Sequence, residues 1–310
     1  MKKWLGFLLL SLAVFWLAFG PIGRTLSDWW TACFTWIKPP GLLGALWTVA
    51  TTLLGLLPQI LILFSFFHFF DSPSHVIMGF GCTTVAVSAT KSKRTAILLP
   101  FIPCSAKAPV VLLVAGVLRL NFFVIFLLYV FCVVVGLVVS RVACKRQSLD
   151  PFDCAQDDKL GPIRMTFQFF KRISGTVLIA AAVLYFLSNY TFYFQHTSSF
   201  NQSILYWLCK TLSPLFVPIG LGNPAVIAAL VFGFLGKELV AASIVLTPFV
   251  LTTASLSSFI IFFMLYPPCV SAIRAIATQT DKRTATLSVT LNFLLAYTFA
   301  FITYCVIILL

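Results

Sequence analysis

The chain has 310 residues, of which 60% are hydrophobic and only 9% are charged, and its mean hydropathy is +1.04. An ordinary soluble domain carries about 25% charged residues, so this composition excludes a water-soluble globule. The 21 lysines and arginines outnumber the 8 acids and give a formal net charge of +13. In so apolar a chain this charge indicates contact with anionic membrane lipid, and the basic loops lack the aromatic interleaving that nucleic-acid binding would require.

Long apolar runs follow one another along the chain, and most approach the roughly 20 residues that span a bilayer. They lie at residues 4–20, 41–70, 95–117, 122–143, 175–187, 224–250 and 286–310. Because the runs are apolar on every face, they predict an all-α, polytopic transmembrane helical bundle and not a β-barrel. The first run is interpreted as a membrane helix, since it is long for a signal peptide and no small-residue cleavage site precedes Pro21.

Two glycine-punctuated segments are each followed, further along the chain, by a Pro-Cys pair. The motif at residues 79–82 (Gly-Phe-Gly-Cys) precedes Pro103-Cys104, and the motif at residues 233–236 (Gly-Phe-Leu-Gly) precedes Pro268-Cys269. Interrupted helices in corresponding places of two halves are typical of transporters, whose ion site lies near the bilayer midplane.

Prolines inside the apolar runs are predicted to break or kink their helices, because proline removes one backbone hydrogen bond and clashes with the preceding turn. The prolines concerned are Pro103, Pro109, Pro267 and Pro268. A packing kink is the alternative interpretation of any single one of them. A break at membrane depth is tolerated only where it faces protein or a water-filled path.

A polar, basic loop at residues 141–173 divides the chain into a first membrane half at 1–140 and a second at 174–310. Seven of the 21 lysines and arginines fall in this loop, so the positive-inside rule predicts that it is cytoplasmic, together with the basic segment 91–94. If residues 274–283 share that side, one apolar segment between Arg172 and Arg274 must be re-entrant.

Glu238 is the only glutamate of the chain and lies beside Lys237 within an apolar segment. A charge at a helix centre costs roughly 2.5 to 3.5 kcal/mol on insertion scales, and membrane carboxylates normally face a pathway or a partner. A role in a cation pathway and a structural ion pair are the two interpretations. The run Gly233-x-x-Gly236-Lys237 is not a phosphate-binding loop, because the required first glycine and the Ser or Thr after lysine are absent.

Five short stretches, in order across most of residues 10–310, resemble the membrane domain of the FeoB family of prokaryotic ferrous-iron transporters. They lie at residues 56–64 (with Leu-Pro-Gln at 57–59), 79–82 (Gly-Phe-Gly-Cys), 100–110 (with Pro-Cys-Ser-Ala-Lys-Ala-Pro at 103–109), 235–238 (Leu-Gly-Lys-Glu) and 265–270 (with Tyr-Pro-Pro-Cys at 266–269). The resemblance implies a multi-pass protein of a prokaryotic cytoplasmic (inner) membrane, with two inverted gate-type halves around a path for Fe(II). The iron is then a transported ion, and no permanently bound cofactor is expected.

The motifs also provide a set of candidate metal ligands, because Fe(II) accepts thiolate and carboxylate donors. These are Cys82, Cys104, Cys269 and Glu238. The candidate pathway or gate residues are Gly79, Gly81, Pro103, Ser105, Lys237 and Pro268. Cys132 and Cys305 lie in uninterrupted apolar runs and are assigned to packing.

Three departures from the family pattern bear on function. The family carries an amino-terminal GTPase domain, whereas this sequence opens with the first membrane helix. Thr83-Thr84-Val85 stands where the family has Asn-Val-Pro, and the basic loop lacks the family's Glu-Leu-Pro-Pro-Tyr stretch. The leading hypothesis is a permease without its own GTPase domain, and not an enzyme. The alternative is a non-transporting membrane scaffold or subunit that docks a separate GTPase or another partner, and a homo-oligomer stays open.

Overall fold

The computed structural model describes residues 79–80, 82–88, 90, 92–143, 182–197, 199–237, 240 and 251–309, with scattered positions between 29 and 50 and between 167 and 179. Throughout these residues the regular structure is helical, apart from an isolated bridge between Tyr190 and His196. The predicted all-α membrane bundle is confirmed. The first apolar run, most of the basic loop, Gly81 and Glu238 lie outside the described residues.

The described part of the first half contains one short helix, a broken span made of two helices, and a long helix. The helices are α1 (Thr83–Ser88), α2 (Lys93–Leu98), α3 (Ala108–Val117) and α4 (Phe122–Ala143), with 3-10 turns at Leu99–Phe101 and Ser105–Lys107. Ser92 begins α2 as an N-cap, because its hydroxyl accepts the backbone N–H of Thr95 at 3.4 Å.

The described part of the second half includes a helix through residues 182–189. Its elements are α5 (Ile204–Phe216), α6 (Pro224–Leu235), α7 (Thr253–Leu265), α8 (Val270–Gln279) and α9 (Lys282–Leu309), with 3-10 turns at Phe200–Gln202 and Val217–Ile219. Polar N-caps begin three of these helices: Ser203, Asn223 and Thr252 accept backbone N–H groups at 3.1, 2.9 and 3.2 Å.

Four helical stretches of the described chain are long and apolar enough to cross a membrane: Lys93–Val117, Phe123–Ala143, Thr253–Gln279 and Lys282–Leu309. The first and third are interrupted between α2 and α3 and between α7 and α8, and they are 67% and 61% buried inside the protein. The second and fourth are continuous and only 17% buried each. The broken spans therefore form the interior, and the continuous spans face outward, where lipid can cover them.

The two broken spans run in opposite directions. Lys93, at the start of the first, makes a 2.6 Å ion pair with Asp281, which follows the end of the second. A broken span followed by a continuous one thus occurs twice with inverted orientation, as expected for two inverted halves. The basic residues at 93–94 and 282–283 share one end of the bundle.

A bent helix pair precedes the second broken span. The stretch Ile204–Ile219 and helix α6 meet at 99°, and the bend is made at Gly220, which has a positive φ of 73°. The ring of Tyr304 occupies the space that a Cβ at Gly220 would need. This pair is either a broken span or a re-entrant loop, so the re-entrant segment expected before Arg274 stays a prediction.

Both halves contribute to one hydrophobic core. Val110, Val114 and Cys132 of the first half belong to the same buried cluster as Leu205 and Phe259 of the second. A smaller cluster joins α1, α2 and the turn after it to α8 and the start of α9. The boundary at 141–173 therefore divides the sequence but not the core.

Asp281 is the one acid among the described residues, and it both caps α9 and pairs with Lys93. Its carboxylate accepts the backbone N–H of Thr284 at 2.6 Å. The hydrogen bond from Lys93, followed by those from Thr284, lowers the pKa of Asp281 below its ordinary 3.8. Because this pKa is lowered on folding, the contribution to stability is present above pH about 4 and is lost as the pH falls below that value.

Asp281→Asn is therefore expected to flatten the pH dependence of thermal stability in acid. The asparagine can still cap α9 but cannot pair with Lys93, so the variant should lose less of its melting temperature than the parent between pH 5 and pH 3. The difference is expected to be small, since both partners are exposed. An identical acid profile for parent and variant in detergent would contradict the prediction.

Candidate functional site

The first break lies between α2 and α3. Residues 102–104 are extended and buried, with Ile102 at φ −74°, ψ 121° and Cys104 at φ −73°, ψ 162°. Pro103 has no N–H to donate and biases the residue before it toward extended geometry, so the predicted break is found. Pro109, in contrast, occupies the first turn of α3, where its missing N–H is no loss. The prediction that Pro109 breaks a helix is therefore wrong.

The second break lies between α7 and α8. Residues 266–269 are extended, with Tyr266 at φ −49°, ψ 140° and Cys269 at φ −65°, ψ 160°. Pro267 and Pro268 lie between them, as predicted. The hydroxyl of Tyr266 donates to the carbonyl of Leu230 in α6 at 2.8 Å, so the bent pair holds this break from one side.

A direct hydrogen bond joins the two breaks. The ammonium group of Lys107, in the 3-10 turn after the first break, donates to the carbonyl oxygen of Met264 at the end of α7. The Lys107 side chain is fully buried, with 0% exposure. The breaks, which are more than 150 residues apart in sequence, are thus brought together in the interior of the bundle.

A small cluster of hydroxyls surrounds Cys269. Helix α1 packs against α8, and the Oγ1 atom of Thr84 lies 3.8 Å from Cys269 Sγ and 3.3 Å from Ser271 Oγ. Ser271 Oγ is 3.0 Å from the same sulfur. Sequence reasoning missed Thr84 and Ser271. Thr84 stands where the family has valine, so a hydroxyl at a usually apolar position was the available signal for Thr84, and the sequence offered none for Ser271.

Three of the four candidate ligands are described, and all are thiols near the breaks. Cys82 immediately precedes α1, is half-buried, and is close enough to Cys104 and Cys269 for the three groups to interact electrostatically. In the described part of the chain, no three His, Cys, Asp or Glu side chains have the arrangement that holds a metal ion. Glu238 falls outside the described residues, so the four-ligand set stays a prediction.

Two buried lysines lie in side-chain contact beside the breaks. Helix α6 ends at Leu235, Gly236 is extended at φ −152°, and Lys237 then turns inward with only 5% exposure. Its side chain meets that of Lys107. Cys132 of α4 is fully buried within electrostatic range of both lysines. Cys132 is part of the buried hydrophobic cluster, and its assignment to packing stays a prediction.

The remaining candidate gate residues lie at or against the breaks. Pro103 and Pro268 form part of them, and Ser105 is half-buried at the start of the turn that follows the first. A Cβ at Gly79 would lie 3.1 Å from a methyl carbon of Leu99 and 3.2 Å from one of Ile102, so this glycine permits close packing against the first break. Gly81 lies outside the described residues.

The described residues thus form a multi-pass helical bundle in which two antiparallel broken spans pack beside two continuous apolar helices. Comparison with known proteins points the same way. Residues 170–283 match a protein-family model described as "Gate: Nucleoside recognition". No solved structure matches the chain.

Curated proteins similar to the chain are named Fe(2+) transporter FeoB. The protein from Staphylococcus aureus (strain COL) is 29% identical over 266 residues, which cover 74% of this chain and 40% of the relative. Those from Methanocaldococcus jannaschii and Synechocystis sp. are each 26% identical, covering 73% and 76% of this chain and 40% and 44% of the relatives. The resemblance to the FeoB family that the motifs predicted is confirmed, and the chain spans about 40% of the length of these relatives.

Proposed function

We propose that this chain carries a divalent metal cation, Fe(II), across a membrane along a path between its two broken spans. The observation that carries the proposal is the meeting of the two breaks in the interior, with Lys107 of one bonded to Met264 of the other. Breaks of this kind free backbone carbonyls at membrane depth, where they can coordinate an ion. The printed name of the similar proteins, Fe(2+) transporter, supports Fe(II) as the cargo.

The side chains around the breaks fit such a cargo. Fe(II) is a borderline ion that accepts sulfur as well as oxygen, and Cys82, Cys104 and Cys269 supply the sulfur. Thr84 and Ser271 add neutral oxygen atoms beside Cys269. A transport site must bind weakly enough to release its ion, which suits a loosely assembled donor set better than a closed metal cage.

We place the chain in a prokaryotic cytoplasmic membrane, as a transporter and not an enzyme, in contact with lipid on the outward faces of α4 and α9. A relative from Porphyromonas gingivalis, 29% identical over 153 residues, is named as a fusion of Fe(2+) transport protein A with the transporter. This printed name supports a second protein, similar to Fe(2+) transport protein A, as a partner of the chain, and a separate GTPase subunit is part of the same proposal.

Metal uptake into proteoliposomes that contain only the purified chain tests the function. Fe(II), kept reduced, should enter with saturable kinetics, and Mn(II), Co(II) or Zn(II) should compete because the same donors accept them. Liposomes without protein provide the background. If well-folded protein gives no uptake of any of these ions, the transport proposal fails, and a non-transporting scaffold is the better account.

Glu238→Gln is expected to lower Fe(II) flux several-fold while the protein still inserts, because the substitution keeps the shape and removes the one carboxylate placed in an apolar segment. Asp281→Asn is the matched control, since Asp281 is exposed at the end of the bundle. Equal flux in Glu238→Gln and the parent would exclude a pathway role for the carboxylate. Equal loss in both variants would point to a general effect of net charge.

A further inference from the structure

The hydrogen bond between Lys107 and Met264 has a specific origin in the sequence. In an uninterrupted helix the carbonyl of Met264 would accept the backbone N–H of the residue four positions later. That residue is Pro268, which has no N–H. The Met264 carbonyl is therefore left without its helical partner at membrane depth, and the ammonium group of Lys107 takes the vacant place.

The Met264 carbonyl is a favourable position for a cation. It lies at the carboxyl end of α7, where the helix dipole places partial negative charge. Carbonyl oxygens freed by an interrupted helix coordinate ions in transporters and channels. Cys104 lies within electrostatic range of the same ammonium group, so a sulfur donor is near the carbonyl as well.

The ammonium group of Lys107 lies at the Met264 carbonyl although a second lysine is next to it. Its side chain is completely buried and in contact with that of Lys237, which is also buried. Two lysines in such proximity repel each other when both are charged, and the Met264 carbonyl accepts a hydrogen bond from the Lys107 ammonium group. A cation that reaches this carbonyl must therefore compete with the Lys107 ammonium group, which is covalently attached to the protein.

We propose that the Lys107 ammonium group is a tethered cation, which occupies the carbonyl site at the end of α7 when the path holds no metal ion and yields that site to the transported divalent cation. This inference rests on the proposed transport function and adds a residue that sets its apparent affinity. The rival interpretation is that Lys107 is a fixed strut that only holds the two breaks together.

Removal of the ammonium group separates the two interpretations. In Lys107→Met the side chain keeps its approximate length, and the carbonyl site is no longer occupied from within. If Lys107 fills the site in about nine of ten molecules, the half-saturating Fe(II) concentration should fall by about tenfold. A fixed strut predicts the reverse, namely lower flux, a lower melting temperature and an unchanged or higher half-saturating concentration. Lys210→Met, at an exposed position of α5, is the matched control.

A labelling experiment on the unmodified protein covers the case in which Lys107→Met does not fold. The protein in proteoliposomes is treated with a small membrane-permeant amine reagent, with and without saturating Mn(II), and the modified lysines are quantified by mass spectrometry. Displacement from the carbonyl should increase the modification of Lys107 several-fold while Lys210 is unchanged. Protein that transports Fe(II) but shows the same Lys107 labelling with and without Mn(II) would overturn the inference, whereas protein that transports no metal ion would first overturn the proposed function.

Discussion

Replacement of Cys269 by serine is expected to lower Fe(II) flux by at least about tenfold, since even the outer partners of metal ligands typically contribute 10- to 100-fold to affinity or activity. Cys269 ends the second break, and its sulfur lies among the hydroxyls of Thr84 and Ser271. Serine keeps a small hydrogen-bonding group in that cluster, so local packing is preserved while the soft donor is lost. Serine at Cys82 or Cys104 should act in the same direction.

Cys305→Ser is the control for these variants. Cys305 is half-buried in the uninterrupted helix α9, far along the chain from either break, and its substitution should leave flux nearly intact. Cys132 is a poorer control than the sequence indicated, because it lies near Lys107 and Lys237. Equal losses at Cys269 and Cys305 would indicate folding effects. Full activity in all the serine variants would remove thiol coordination from the mechanism.

The continuous spans could be predicted from the sequence because the information that defines them is local. More than 20 consecutive residues of α4 are almost entirely apolar, and a lipid environment leaves such a segment little choice but a helix. The breaks at Pro103 and at Pro267-Pro268 were predicted for the same reason, since a missing N–H acts within one helical turn. The prediction that Pro109 breaks a helix was wrong because the effect of a proline depends on where its helix begins. Helix α3 begins only one residue before Pro109.

The meeting of the breaks could not be predicted, because it depends on packing between segments far apart in the chain. Nothing near Lys107 indicates that its partner is the Met264 carbonyl, although proline at position 268 indicates that this carbonyl needs one. Thr84 and Ser271 escaped notice because hydroxyl residues are common in membrane helices, where they usually bond their own helix. Thr298 and Thr303 of α9 do so, to carbonyls four residues earlier at 2.8 Å each.

Gly136→Val is expected to displace the first break and to reduce both stability and flux. A Cβ at Gly136 would lie 2.6 Å from Cβ of Phe101 and 3.0 Å from a methyl carbon of Leu98. Because Phe101 Cβ is fixed to the backbone, the clash is relieved only if α4 and the turn Leu99–Phe101 move apart. Overpacking of this kind typically costs about 1 to 3 kcal/mol of unfolding free energy.

The clash at Gly136 is expected to lower transport as well as stability, because the displaced turn leads directly into the first break. Phe101 is the last residue before the extended segment 102–104, so a shift of the turn moves Cys104 away from the other thiols and Lys107 away from Met264. Gly116→Val is the matched control, since no atom lies within 4 Å of the Cβ position at Gly116. We expect Gly136→Val to melt at a lower temperature in detergent than Gly116→Val and to transport less Fe(II) per folded molecule. If the two variants melt and transport alike, the contact between α4 and the turn does not position the break.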